Sequence, residues 1–385
     1  MPRPQVTLTI IIVAQFLCTS MWFAGNAVTN QLIELGLDRS ISSQLASFVQ
    51  FGFLAGTIIY AYLGASDKYS PSKVFMISAI LGAIVNGTSV FANYFFPTPT
   101  LLISRFFTGL FLAGIYPVGM KIAADHFSDK LGKSLGWLVG ALVIGTALPH
   151  LISGWLNNFH WSITILSTSV LALIGGLIIG TLVPDGEHRT ISGAFEPKMV
   201  FEVFKNRAFR KAAFGYFGHM WELYTVWALV PFLIKSTIVG LSESSTSYLS
   251  FGLIAFGGLG CVVGGLASFK FGPHKIAIIS LGTSLICCFG YCIGVGVQNQ
   301  ILTITALFFW CLSIIPDSPM FSTLVAKNAT PEFKGSAITI VNGIGFGITV
   351  LSIWIVNWAL VNFSTPIALS LISIGPLIGL VVNRK

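Results

Sequence analysis

No Asp, Glu, Lys or Arg occurs between Lys334 and Arg384, between Lys275 and Asp317, or between Lys133 and Asp185. A helix needs about 20 apolar residues to cross the hydrocarbon of a bilayer, so each run holds two crossings or most of two. A fourth run, between Arg3 and Glu34, holds one. Polar or Pro-rich clusters mark the turns inside the longer runs: Asn157-Asn158 with His160, Gln298-Asn299-Gln300, and Asn362 to Pro366. The remaining apolar segments complete a set of predicted helices near 5–30, 43–64, 73–93, 99–125, 132–155, 160–183, 208–235, 244–267, 274–295, 299–326, 334–358 and 364–383. The expected fold is an all-α membrane protein with twelve transmembrane helices.

Composition agrees with that solvent. Charged residues make up 9% of the chain and hydrophobic residues 54%, against roughly 25% charged in an ordinary soluble domain. The 40 glycines suit closely packed membrane helices. The six cysteines (Cys18, Cys261, Cys287, Cys288, Cys292 and Cys311) lie in apolar stretches without a disulfide framework or ligand spacing, and are read as structural. Nothing in the sequence calls for a metal or a cofactor.

Of the 21 Lys and Arg residues, all but Arg39, Arg105 and Lys235 fall in the termini or in and beside the loops after predicted helices 2, 4, 6, 8 and 10. Short positive loops stay in the cytoplasm, which puts both termini there. The formal charge of +8 then reflects orientation against anionic lipid and carries no nucleic-acid signature. The first helix lacks a small-residue cleavage site after a short apolar core and is read as retained.

The segment Ala65-Ser66-Asp67-Lys68-Tyr69-Ser70-Pro71-Ser72-Lys73 returns as Ala267-Ser268-Phe269-Lys270-Phe271-Gly272-Pro273-His274-Lys275. At the same spacing Phe106-Phe107 falls on Phe308-Phe309 and Pro117 on Pro319; Met21-Trp22 matches Met220-Trp221 at a similar one. The chain reads as two related six-helix halves, 1–183 and 208–385, joined by a polar cytoplasmic linker at 184–207. Rocking-type transporters are built this way, with two similar bundles enclosing a site.

Short motifs carry a resemblance. Gly64 to Lys73 is similar to the loop signature Gly-x-x-x-Asp-Arg/Lys-x-Gly-Arg/Lys-Arg/Lys of the major facilitator superfamily, keeping Asp67 and Lys68, with Gly displaced by one, Ser70 in place of the second Gly, and Lys73 closing it. Arg105-Phe106-Phe107-Thr108-Gly109 matches the signature Arg-x-x-Gln/Thr-Gly, and Ala124-Asp125-His126-Phe127 resembles the nitrate/nitrite, cyanate and organic-anion branches. The resemblance implies alternating access, with Asp67, Lys68, Lys73 and Asp125 at a cytoplasmic gate. Gly140, Gly145, Pro149 and Gly154 supply the residue types of the superfamily's antiporter signature at the wrong spacing, so they give no ground for efflux.

A charge in the hydrocarbon costs at least about 2.5–3.5 kcal/mol on insertion scales, so each one implies a function or a partner. Three qualify: Arg105, Glu222 and Asp317. Arg105 lies roughly 9 Å from the outer end of its helix at about 1.5 Å per residue, placed for an anion clamp, a counter-charge to an acid, or a structural contact. His219 and Glu222 are three apart and share a helix face; an imidazole beside a carboxylate can pass a proton, or can simply fix packing. Asp317 sits in Pro316-Asp317-Ser318-Pro319, where the prolines must break or kink the helix and free carbonyls. Its duplicate position is Ile115, beside Tyr116-Pro117, so the break is shared and the acid belongs to the second half. Trp22 and Asn26, four apart, with Tyr116, Trp221, Tyr224 and Trp227, are candidates to line the pocket or to anchor and pack the helices. His150 reads as packing.

The expected function is secondary active transport of a small organic anion, zwitterion or similar solute, coupled to protons, by a monomer in a bacterial inner membrane. An efflux antiporter or siderophore transporter of the same fold stays open, as does a channel or receptor. Against the last two stands the absence of a filter signature or charge ring. An enzyme is disfavoured by the lack of H-E-x-x-H, Gly-x-Ser-x-Gly or paired acids at metal spacing, and an ATP-driven pump by the lack of a Gly-x-x-x-x-Gly-Lys-Ser/Thr loop.

Overall fold

The computed structural model describes residues 4–127, 131–189, 202–329 and 334–384; the loop positions Ser128, Ser192 and Pro331 and half of the expected linker lie outside the described residues. Among the described residues the chain is helical throughout, without a strand. The membrane helices are α1 (Pro4–Thr19, continued by Asn26–Val28 and Thr29–Glu34), α2 (Ile41–Leu63), α3 (Pro71–Thr88 with Ser89–Asn93), α4 (Pro97–Leu112 and Tyr116–His126), α5 (Leu131–Trp155) and α6 (Trp161–Leu182). They are followed by α7 (Arg207–Thr237), α8 (Glu243–Phe271), α9 (Pro273–Gly296), α10 (Gln300–Ser313 and Asp317–Asn328), α11 (Lys334–Asn362) and α12 (Thr365–Val382, with a 3-10 turn at Leu371–Ser373). Among the described residues ten of them are long and apolar enough to cross a bilayer by length and composition. The other two are α1, whose apolar helix Gln5–Thr19 is shorter, and α7, which carries His219 and Glu222 in mid-helix.

Helix starts follow local chemistry. Pro71 and Pro273 open α3 and α9 at the first turn, where a missing N–H costs nothing. Asn206 caps α7 by accepting from the N–H of Ala208 at 2.9 Å and of Phe209 at 3.3 Å. Gly64 ends α2 in the left-handed conformation, φ 59°, which a side chain would oppose. This turn is why the signature glycine stands at 64.

The chain forms two compact units, Met1–Phe195 with Glu243–Phe251, and Glu196–Ser242 with Gly252–Lys385. In the first, α2 and α4 cross closely through glycine. A Cβ on Gly52 would lie 1.8 Å from the carbonyl oxygen of Phe106, and one on Gly109 would lie 2.0 Å from that of Val49. The signature glycine of α4 therefore serves backbone contact, the usual use of small residues between membrane helices. In the second unit α7 packs on α11 and α12, and α9 packs on α10.

Two helices depart from their expected form. The expected helix over 5–30 is interrupted: after Thr19 the backbone runs through turns to Gly25 before helical structure resumes. Its cause is tertiary, because Arg105 captures carbonyls in that stretch. The breaks in α4 and α10 fall at equivalent places, after Leu112 and after Ser313, and each second segment starts beside proline. There the shared Pro117 and Pro319 behave as the duplicated pattern requires.

Candidate functional site

Arg105 is wholly buried, 0% exposed, in the first segment of α4. Its Nη1 donates to Oδ1 of Asn86 on α3 at 2.6 Å, and its Nη2 donates to the carbonyls of Met21 at 2.7 Å and Trp22 at 2.6 Å. Asn86 is itself anchored, donating to Ser169 Oγ at 2.9 Å and to Thr168 Oγ1 and the Ile165 carbonyl at 3.1 Å, all on α6. Among the described residues no carboxylate pairs with Arg105. The guanidinium thus satisfies carbonyls that the break in α1 releases, and it joins α1, α3 and α4. Asn86 and these carbonyls were not foreseen from sequence. A lone amide in an otherwise apolar span was the available signal.

The break also changes the pocket expectation for α1. Trp22 and Asn26 are not on one continuous helix, so their spacing does not put them on a shared face. Trp22 packs on Phe53 with ring centroids 4.8 Å apart, and Asn26 donates to the Ser42 carbonyl at 2.9 Å. Two residues passed over in the sequence, Gln15 and Gln50, are fully buried, and neither amide has a hydrogen-bond partner among the described residues.

In the second unit, Glu222 on α7 is 0% exposed. Its Oε1 accepts from the indole N–H of Trp310 on α10 at 2.6 Å, and its Oε2 accepts from Ser284 Oγ on α9 at 2.9 Å. His219 is not paired with Glu222, as their shared face suggested. The imidazole turns to α10, where its Nδ1 lies 2.8 Å from Oδ1 of Asp317. That contact is close but not aligned as a hydrogen bond. Asp317 opens the second segment of α10 and is 1% exposed. The break in α10 accounts for the choice, since it brings the first residue of that segment against α7. Among the described residues neither acid is paired with Lys or Arg.

The remaining aromatic candidates of α7 are packed. Trp221 donates to the Leu371 carbonyl of α12 at 3.0 Å, and Tyr224 lies 5.4 Å from both Trp227 and Phe346 by ring centroid. Tyr116 is half-buried at the start of the second segment of α4. His150 is buried on α5, with its Nε2 unbonded among the described residues. At the expected gate, the side chain of Asp67 lies outside the described residues. Lys68 and Lys73 are exposed, and Asp125 is buried with its carbonyl accepting from the N–H of His188 at 3.0 Å. Ser70 Oγ donates to Asp185 at 2.6 Å, while Arg189 pairs with Asp185 at 2.6 Å and donates to the Tyr69 carbonyl at 2.8 Å. This ties the segment after α6 to the turn between α2 and α3.

Twelve membrane helices that repeat a pattern and bury ionisable groups in mid-helix define a polytopic secondary transporter. Residues 10–353 match the family model described as Major Facilitator Superfamily, and the chain belongs to that family. It is 22% identical over 374 residues to the 4-hydroxybenzoate transporter PcaK of Pseudomonas aeruginosa, spanning 87% of this chain and 81% of that one. It is 27% identical over 190 residues to the sialic acid transporter NanX of Escherichia coli, spanning 46% of this chain and 45% of that one. Among solved structures, a partially occluded inward-open form of the xylose transporter XylE from E. coli superposes with a TM-score of 0.76 at 14% identity, covering 99% of this chain and 97% of that one. The fold is therefore the twelve-helix fold of the family, and the protein is a multi-pass membrane transporter of small molecules, not an enzyme.

Proposed function

We propose that this protein is a proton-coupled transporter of a small organic carboxylate or zwitterion, and that Glu222 and Asp317 carry the coupling proton. One observation supports this most: two carboxylates are buried in one unit at 0% and 1% exposure, with His219 as their only ionic partner among the described residues. An unpaired carboxylate in the hydrocarbon is costly, and a proton taken up and released during the cycle removes that cost at each crossing. His219 is three residues from Glu222 on α7 and in contact with Asp317, which suits it to relay. Relatives named for 4-hydroxybenzoate, sialic acid and niacin point to carboxylates as the substrate class. The unpartnered amides of Gln15 and Gln50 are suited to hydrogen-bond the polar remainder of such a solute.

In this reading the halves 1–183 and 208–385 move as two bodies joined by the linker 184–207, and the transporter works as a monomer. It lies in a bacterial inner membrane with both termini in the cytoplasm. Asp67 and Asp125 act at the cytoplasmic gate. Arg105 positions the broken segment of α1, and the carbonyls it holds set the shape of that stretch.

Uptake into proteoliposomes under an imposed pH gradient, screened over small carboxylates, tests the proposal. Glu222→Gln and Asp317→Asn are expected to lose concentrative uptake and retain substrate exchange, which needs no net proton movement. Wild-type accumulation by both variants would overturn proton coupling through these residues.

A further inference from the structure

A cleft of about 480 Å³ opens at the turn between α2 and α3, lined by Lys68, Tyr69, Ser70, Lys73, Val74 and Ile77. Lys68 and Lys73 have no carboxylate or hydrogen-bond partner among the described residues. Asp185, the acid that reaches this turn, already accepts from Ser70 and is paired with Arg189 at 2.6 Å. The Tyr69 carbonyl is likewise taken by Arg189. What the cleft offers a ligand is two ammonium groups, a phenol hydroxyl on a side chain 65% exposed, and the first turn of α3, which no side chain caps. These are donors for an anion.

The other wall is apolar and continues down the helix. Ile77, Leu81 and Ile84 are 53%, 40% and 58% exposed, and their spacing puts them on one outward face of α3. On a membrane helix such a face meets acyl chains. Cationic groups at the end of a lipid-facing apolar stripe match a molecule with an anionic head and hydrocarbon tails. The second copy of the repeat is built differently: Lys270 and Lys275, the counterparts of Lys68 and Lys73, each place Nζ 5.3 Å from the centroid of the Phe271 ring. Those ammonium groups are engaged by an aromatic face, whereas among the described residues the first copy shows no ring or carboxylate on its pair.

We propose that the cleft between α2 and α3 binds the phosphate group of an anionic phospholipid through Lys68 and Lys73, with the acyl chains lying along Ile77, Leu81 and Ile84. A Lys near an anionic lipid surface contributes roughly fivefold in affinity, so losing both lysines should lower it by about 25-fold.

The test is native mass spectrometry of the full-length protein titrated with phosphatidylglycerol, phosphatidylcholine or inorganic phosphate. Wild type is expected to bind one phosphatidylglycerol in clear preference to phosphatidylcholine. Lys68→Gln/Lys73→Gln should lose that preference, and Lys270→Gln/Lys275→Gln, which removes the same charge at the second copy, should keep it. Both lysines of each pair are surface groups, and an unchanged thermal midpoint establishes folding; the single variants Lys68→Gln and Lys73→Gln give a graded loss if the double variant is not obtained. Equal loss in both double variants would mean a bulk charge effect and overturn the site. Inorganic phosphate binding as tightly as the lipid, with no effect of Ile77→Gln/Leu81→Gln on lipid affinity, would make the cleft a phosphate site and overturn the lipid assignment.

Discussion

Nδ1 of His219 stands 2.8 Å from Oδ1 of Asp317, linking the middle of α7 to the first residue of the second segment of α10. The two side chains are both buried, so neither can exchange its partner for water. Groups in such contact couple when mutated. For proton-driven uptake, His219→Gln and Asp317→Asn should each lower the rate, and the double variant should be no slower than the slower single variant. A double-mutant cycle on initial rates checks this. Losses that multiply would mean independent roles.

Trp310 donates to Glu222 at 2.6 Å, and a donor to a carboxylate favours its charged form. Trp310→Phe removes that donor and leaves Ser284. Driven uptake should slow in Trp310→Phe and stay near wild type in Trp227→Phe, whose ring packs on Tyr224. Equal rates in the two variants would remove Trp310 from the coupling site.

Much of the fold was legible because a charge in hydrocarbon is costly at every position. The helix limits near Leu63, Trp155 and Leu182 follow from where charge and turn residues interrupt apolar runs. The breaks in α4 and α10 were legible through proline. The break in α1 was not: it depends on a guanidinium from α4, a contact made by residues far apart in the chain. The site divided in the same way. Buried charge singled out Arg105, Glu222 and Asp317, but partners depend on packing, so helical periodicity chose Glu222 for His219 where the structure joins it to Asp317. Trp310 and Ser284 looked like ordinary membrane residues, although a buried indole N–H usually finds an acceptor and Glu222 was an obvious one.

Gly52 and Gly109 allow α2 and α4 to touch through backbone. Gly52→Val would put side-chain atoms where the Phe106 carbonyl oxygen stands, 1.8 Å from a Cβ. Overpacking of this kind costs about 1–3 kcal/mol. Gly52→Val should lower the thermal midpoint in detergent, whereas Gly282→Val, at an open position on α9, should not.

The orientation argument predicts that reporters fused after Ser40, Phe96, Asn158, Gly240, Gln298 and Asn362 read outside the cytoplasm. Those fused after Pro71, Ser128, Ser192, Pro273 and Pro331 should read inside. Two adjacent fusions on the same side would break the twelve-helix count, and the inverse pattern would contradict the orientation.

Arg105 donates to three acceptors: the carbonyls of Met21 and Trp22, and Oδ1 of Asn86. A planar fork reaches acceptors on α1 and α3 at once, and an ammonium is a compact point charge. Arg105→Lys therefore keeps the charge but leaves at least one buried acceptor without a donor, at a cost of about 1–3 kcal/mol. The expected result is a lower thermal midpoint and slower transport in both driven uptake and exchange, since the broken segment of α1 loses its anchor whichever way the solute moves. This separates Arg105 from Glu222, whose Gln variant should spare exchange. Asn86→Leu should reproduce part of the Arg105→Lys defect, because it removes one acceptor together with that acceptor's bonds to α6. If Arg105→Lys lost driven uptake alone and kept both exchange and thermal midpoint, the guanidinium would belong to the proton pathway and not to the support of α1.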